Sequence, residues 1–321
     1  MGRTKGPPMT TEPNPGEGEK PETFVPTPVP TPEPTPGPRI PSKTPLYEAM
    51  NAARYARQAL IKEIEKLTET SLICYVSPNS EIERDDVTAM VDLLHNTVPG
   101  APIDLMLHSP GGDIDAAEKL ITLIRKRAGT APVRVIVPDY AKSAATLIAL
   151  GADAILMSDS SELGAIDPQV DLPNGKGHLQ TVSAQGYLDA FNKWAKMLRE
   201  NPTDPVARLM LDKMEPSTIH RLEQATTRSR KIAAALLGTG MIKDEADASA
   251  IVDDLSNTDK WHSHGQMIPQ EALLKLGLSV KYLAPHDQQW QLYWRLFCLQ
   301  ITAANGSVKL FEGSYASLAL P

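Results

Sequence analysis

YAKSAATLIALGADAILMSDSSELGAIDPQ, residues 140–169, decides the fold when it is read with HSPGGD at residues 108–113. In the longer stretch, small residues around Ser143 open an apolar helix, AATLIALGA, which leads to a strand, AILMSD, and then to a polar turn region, SSELGAIDPQ. In the shorter one a buried strand, Ile103 to Leu107, runs straight into a Pro-Gly-Gly turn. Ser143 stands where a helix begins, so the dipole and the free amides there favour developing negative charge. A serine at such a position also serves as an ordinary N-cap. Gly111 and Gly112 reach backbone conformations closed to other residues, which lets successive amides point into a cleft. Two amides aimed at one point make an oxyanion hole, and losing one such donor costs about 100- to 1000-fold in rate.

Strands and helices alternate around this pair. SLICYVSP at Ser71 to Pro78 is a short apolar run closed by proline, a buried strand. EIERDDVTAMVDLLHNT reads as a helix with Val87, Met90, Val91 and Leu94 on one face. DIDAAEKLITLIRKR reads as another, with Asp113 and Asp115 in its first turn and Arg125, Lys126 and Arg127 in its last, matching the helix dipole at both ends. PVRVIVPD is a strand. The alternation predicts an α/β fold with a parallel sheet and right-handed crossovers.

Upstream, LYEAMNAARYARQALIKEIEKLTE spaces Leu46, Met50, Ala53, Ala56, Leu60, Ile64 and Leu67 as an amphipathic helical stripe for packing or subunit contact. Downstream, Val182–Glu200, Pro205–Met214 and Pro216–Leu237 are helical stretches separated by Asn-Pro, Asp-Pro and Glu-Pro breaks, an α-helical extension. Ile268 to Leu283 reads as a helix closed by Gly277 and followed by a strand, SVKYL. The segment Asp287 to Ala303 carries Trp290, Tyr293, Trp294, Phe297 and Leu299, a stripe suited to the core or an oligomer contact.

The 41% hydrophobic and 22% charged content is that of an ordinary globular chain. Fourteen of the 28 prolines fall in residues 1–45, so residues 1–44 read as a disordered proline-rich tail. A net charge of −7 excludes a broad electrostatic grip on nucleic acid or on an anionic membrane. Cys74 and Cys298 each sit in an apolar segment, which suggests two buried thiols in a reducing compartment. The N-terminus lacks a secretory apolar run, and no stretch approaches the ~20 apolar residues of a membrane span. The expectation is a cytoplasmic protein without a transmembrane segment.

A glycine turn, an intervening strand and a serine flanked by small residues together resemble the ClpP/crotonase superfold. The segment from about Glu48 to Leu283 resembles the serine dehydrogenase proteinase family, related to signal peptide peptidase A and to the peptidase subunit of the Clp protease. Its carriers, in order, are IDLMLHSPGGDIDAAEKL, VIVPDYAKSAATLIALGADAILM, SELGAIDPQ and HGQMIPQEALLKLGLSV. The resemblance implies a ClpP/crotonase-like fold of repeated β-β-α and βα units over residues 45–285, followed by the aromatic helix and a short extension at 286–321. It implies a serine peptidase, assembled as a homo-oligomer, that acts on peptide or protein substrates without a cofactor. Ser143 matches the nucleophile, Gly111 and Gly112 the oxyanion turn, and the amide of Ala144 a further donor. The resemblance leads one to expect an apolar residue at Lys142 and glycine at Ala145, and this chain departs from it at both.

The general base is the open position. Relatives use histidine or lysine. The Clp-type histidine falls at about Asp167, and the lysine of signal-peptide-peptidase-like relatives near Ala184 or Gln185. Asp167 is taken as a catalytic candidate that orients a base or binds substrate; its ordinary role would be to turn the chain before Pro168. Lys176, His178, Lys193, Lys196 and His264 are the candidates for base or substrate contact. His262 and His264, at i and i+2 without a third ligand, do not make a metal site. No GxGxxG fingerprint supports nicotinamide binding. The alternatives are a catalytically silent binding or assembly module of this fold and acyl-CoA chemistry on the crotonase scaffold.

Overall fold

A computed structural model describes residues 43–173, 177–261 and 263–321. Residues Pro45–Pro321 form one compact unit. The chain begins with α1 (Pro45–Met50) and α2 (Ala52–Thr68), then β1 (Ser71–Val76), α3 (Asp86–His95), β2 (Ile103–His108), α4 (Ile114–Ala128), β3 (Val133–Ile136), β4 (Tyr140–Ala141), α5 (Ala144–Leu150), β5 (Ala154–Met157) and β6 (Glu162–Leu163). It continues with β7 (Gln169–Pro173), β8 (Leu179–Ser183), α6 (Ala184–Glu200), α7 (Pro205–Asp212), α8 (Pro216–Thr239), α9 (Glu245–Leu255), α10 (Gln270–Lys275), β9 (Val280–Tyr282), α11 (Gln288–Ala303), β10 (Lys309–Glu312) and β11 (Ser317–Leu320).

Seven strands form the central sheet in the order β11-β10-β1-β2-β3-β5-β9. The run from β1 to β9 is parallel, while β10 pairs antiparallel with β1 and β11 with β10. Period-two alternation sends β1 side chains to two cores. Leu72, Cys74 and Val76 pack against α2 and α11, whereas Ile73 and Tyr75 join the larger core under α3, α4, α5, α8 and α9. With helices on both faces, the strands read as continuous apolar runs, which is why SLICYV and IDLMLH are buried nearly throughout.

Parallel strands share one C-terminal edge, and the turns that matter leave from it. β2 ends at His108 and passes into Ser109 to Asp113. The short pair β4 and β6 lies beyond this edge, with a bridge from Ala141 back to Ser109. α4 starts immediately after the glycine turn, capped by the Asp113 carboxylate, which accepts from the amides of Asp115 and Ala116 at 2.7 and 2.9 Å.

Several expectations are corrected. The first helix is broken at Asn51, and Leu46, Met50 and Leu67 are exposed, because α2 meets the sheet and α11 only through its middle, at Leu60, Ile61 and Ile64. In α3 the stripe centres on Met90, with Leu93 inside it, so Val91 falls off the buried face. Cys298 is exposed, since the buried face of α11 runs through Trp290, Tyr293, Leu296, Phe297 and Gln300 and Cys298 lies beside it. The hairpin β7–β8, helix α9 and the pair β10–β11 were not expected, and the helix expected from Val182 starts at Ala184 because Ser183, still extended at the end of β8, caps α6. The proline-rich tail expectation concerns residues outside those described, apart from Lys43 and Thr44.

Candidate active site

Ser143 occupies the N-cap position of α5 but does not cap it: no side-chain cap hydrogen bond forms, and its backbone sits at φ 51°, ψ −117°. A non-glycine residue held there costs on the order of 1–3 kcal/mol and persists only where its surroundings fix it. They do so here. Lys142 N–H donates to Ser109 O at 3.0 Å, and Ala145 N–H donates to Lys142 O at 2.8 Å. The buried Thr146 hydroxyl donates to Ala141 O at 2.8 Å and accepts from the Gly164 amide at 3.1 Å.

The glycine turn faces this serine at contact distance. A Cβ on Gly111 would lie 2.7 Å from the Ser143 Cβ, and one on Gly112 would lie 2.4 Å from the Ile82 amide nitrogen. Both glycines also hold positive φ, 107° and 141°. The Gly111 amide donates to Ser109 Oγ at 3.1 Å. The amides of Gly112 and Ala144 have no acceptor among the described residues, and both residues line a cleft of about 710 Å³ together with Ser143.

His264 lines the same cleft. Its Nδ1 lies 2.8 Å from Asp167 Oδ1, and Gln169 Nε2 donates to the other carboxylate oxygen at 2.9 Å. A carboxylate accepts, so Nδ1 carries the hydrogen and Nε2 is left with its lone pair. Asp167 is buried, whereas the His264 ring is partly open to the cleft. The carboxylate is held from behind: Ile166 N–H donates to Leu255 O at 3.1 Å, and Ser229 Oγ in α8 donates to Ile166 O at 3.0 Å. Among the described residues the Ser143 hydroxyl makes no hydrogen bond to His264, and such contacts often tighten only when substrate is bound.

The other expected contacts lie elsewhere. Lys193 projects from α6 over the Trp194 ring, and Lys196 pairs with Glu200 at 3.9 Å, neither of them lining the cleft. His178 is exposed just before β8, while Lys176 and His262 fall outside the described residues. The hairpin β7–β8 supplies Gln169, Asp171 and Thr181 to the cleft, and α8 supplies Arg228, which pairs with Asp115. No composition or periodicity marked these residues. The only advance sign of His264 was its place before Gly265 at the head of the HGQMIPQEAL segment.

Residues 48–190 match the family of ClpP-like SDH-type serine proteinases. Ser143, Gly111, Gly112, Ala144 and Asp167 fall inside the family segment and His264 outside it. An uncharacterized protein of Methanocaldococcus jannaschii is 49% identical over 85 residues, 26% of this chain and 29% of that protein. A second from the same organism is 31% identical over 125 residues, 36% of this chain and 42% of that protein. The chain thus spans less than half the length of these relatives. Among solved structures, ClpP1 from Listeria monocytogenes matches with a TM-score of 0.35 at 15% identity, covering 71% of this chain and 96% of that one. No helix among the described residues is long and apolar enough to cross a membrane.

Proposed function

We propose that this protein is a serine peptidase whose catalytic triad is Ser143, His264 and Asp167. The observation that carries the reading is the His264–Asp167 pair opening onto the cleft that Ser143 lines, with two unengaged amides beside the serine. In this reading His264 Nε2 takes the Ser143 proton as Oγ attacks the scissile carbonyl. Asp167 fixes the tautomer and offsets the charge of the imidazolium that forms. The oxyanion accepts from the amides of Gly112 and Ala144, while Gly111 shapes the turn. His264 then gives its proton to the leaving amine, and water releases the acyl group by the same route.

A carboxylate at the position of the Clp-type histidine is then no defect. Asp167 becomes the orienting acid, and the base comes from a distant segment. Treating the protein and a Ser143→Ala variant with a fluorophosphonate probe tests the reading. Covalent labelling confined to Ser143 is expected; a chain that resists the probe, or labels equally without Ser143, contradicts it and favours the silent module.

A further inference from the structure

Lys142 precedes the nucleophile, yet its side chain runs the other way. Its ammonium lies 2.6 Å from Glu162 Oε1 and donates to the carbonyls of Leu163, Gly265 and Gln266 at 3.2, 3.3 and 3.4 Å. These groups belong to two pieces of chain, 162–163 and 265–266, which the ammonium joins to its own. Ser143 is the next residue after Lys142, Asp167 follows Leu163 by four positions, and His264 immediately precedes Gly265. One cation therefore touches every segment that contributes a member of the proposed triad. The stem fits because Gly164 has no side chain: a Cβ there would lie 2.7 Å from Lys142 Cδ.

Backbone pairing fixes the far end of the His264 loop, where Leu163 and Ile268 exchange N–H to carbonyl bonds at 3.1 and 3.0 Å. Trp261 anchors the near end, its indole Nε1 donating to Asp254 O at 2.9 Å; between these two ends the loop is tied back by Lys142 and by the His264–Asp167 bond alone among the described contacts. The Asp167 bond fixes one ring nitrogen but leaves the ring free to swing about it. Holding the two carbonyls after His264 removes that freedom.

We infer that Lys142 is a positioning residue, clamping the loop that carries His264 against the turn that carries Ser143. The inference rests on the triad reading. Its ammonium is charge-paired and mostly buried, so its three donors are directed rather than mobile. Loss of the clamp leaves the Leu163 carbonyl with its Ile268 donor and the Gly265 and Gln266 carbonyls in an exposed to half-buried stretch, so folding suffers little. The reaction suffers more, because a misplacement of about 1 Å costs about 100-fold in rate.

The test is the rate and the endpoint of Ser143 labelling by a fluorophosphonate, in the full chain and in Lys142→Met, which keeps the stem and removes the charge. Slower labelling by about 10- to 100-fold is expected, with every molecule labelled at the end. A variant with the parent's rate overturns the inference. So does one whose labelled fraction falls while its rate holds, since that is loss of fold. Gly164→Ala displaces the stem without altering charge and should slow labelling in the same way, which keeps the inference testable should Lys142→Met not fold. His264→Ala separates the two readings: labelling at the parent's rate in that variant overturns the triad itself, whereas a slow His264→Ala beside a fast Lys142→Met overturns the clamp alone.

Discussion

His264 donates from Nδ1 to Asp167 Oδ1 across 2.8 Å, joining residues 97 positions apart at the wall of the Ser143 cleft. Asp167→Asn replaces the acceptor oxygen with an amide that favours the wrong tautomer. Rate is expected to fall by about 100- to 10,000-fold while the fold persists, as general-base function is lost. Labelling kinetics beside a circular-dichroism melt check this.

The glycine turn permits almost no change. Gly112→Ala sets a methyl against the Ile82 backbone at a φ of 141°. Destabilisation of more than about 2 kcal/mol is expected from strain and clash together. A urea titration against the parent measures it.

A buried ionic knot holds the antiparallel edge of the sheet. Lys309, 2% exposed, reaches Asp86 at 3.1 Å, and Asp86 also accepts from the Tyr75 hydroxyl at 2.7 Å. Asp86→Ala leaves a buried ammonium with only the exposed Glu83 for company. A loss of about 3–5 kcal/mol is expected by chemical denaturation, as for one partner removed from a buried pair.

His108 ends β2 just before the glycine turn, and burial lowers its pKa from 6.5 to about 4. Between those values the unfolded chain takes a proton that the folded chain refuses. The contribution of this site to stability is therefore full above about pH 6.5 and is lost as pH falls toward 4, by on the order of 3 kcal/mol. His108→Gln should flatten the pH dependence of urea stability in that window relative to the parent.

Local chemistry made much of this legible. Strand and helix alternation gave the parallel sheet, and Ser143 with Gly111 and Gly112 was visible as a pair because each signal lies within a few residues. The hairpin β10–β11 was not, since its strands are short and pair with β1 from the opposite end of the chain. Asp167 was legible as a carboxylate that could orient a base, but its partner was not, because His264 arrives through tertiary packing from 97 positions away. Lys142 was legible as a departure from the apolar residue expected there, but its partners were not, because the three carbonyls that receive it come from two distant segments, Leu163 and Gly265–Gln266.

The most direct test of the triad is the second-order labelling of Ser143 by a fluorophosphonate in the parent and in His264→Ala, mapped by mass spectrometry. The expected result is labelling at Ser143 in the parent and a loss of at least about 100-fold in the variant. Equal rates in the two proteins, or a label on another residue, would contradict the account.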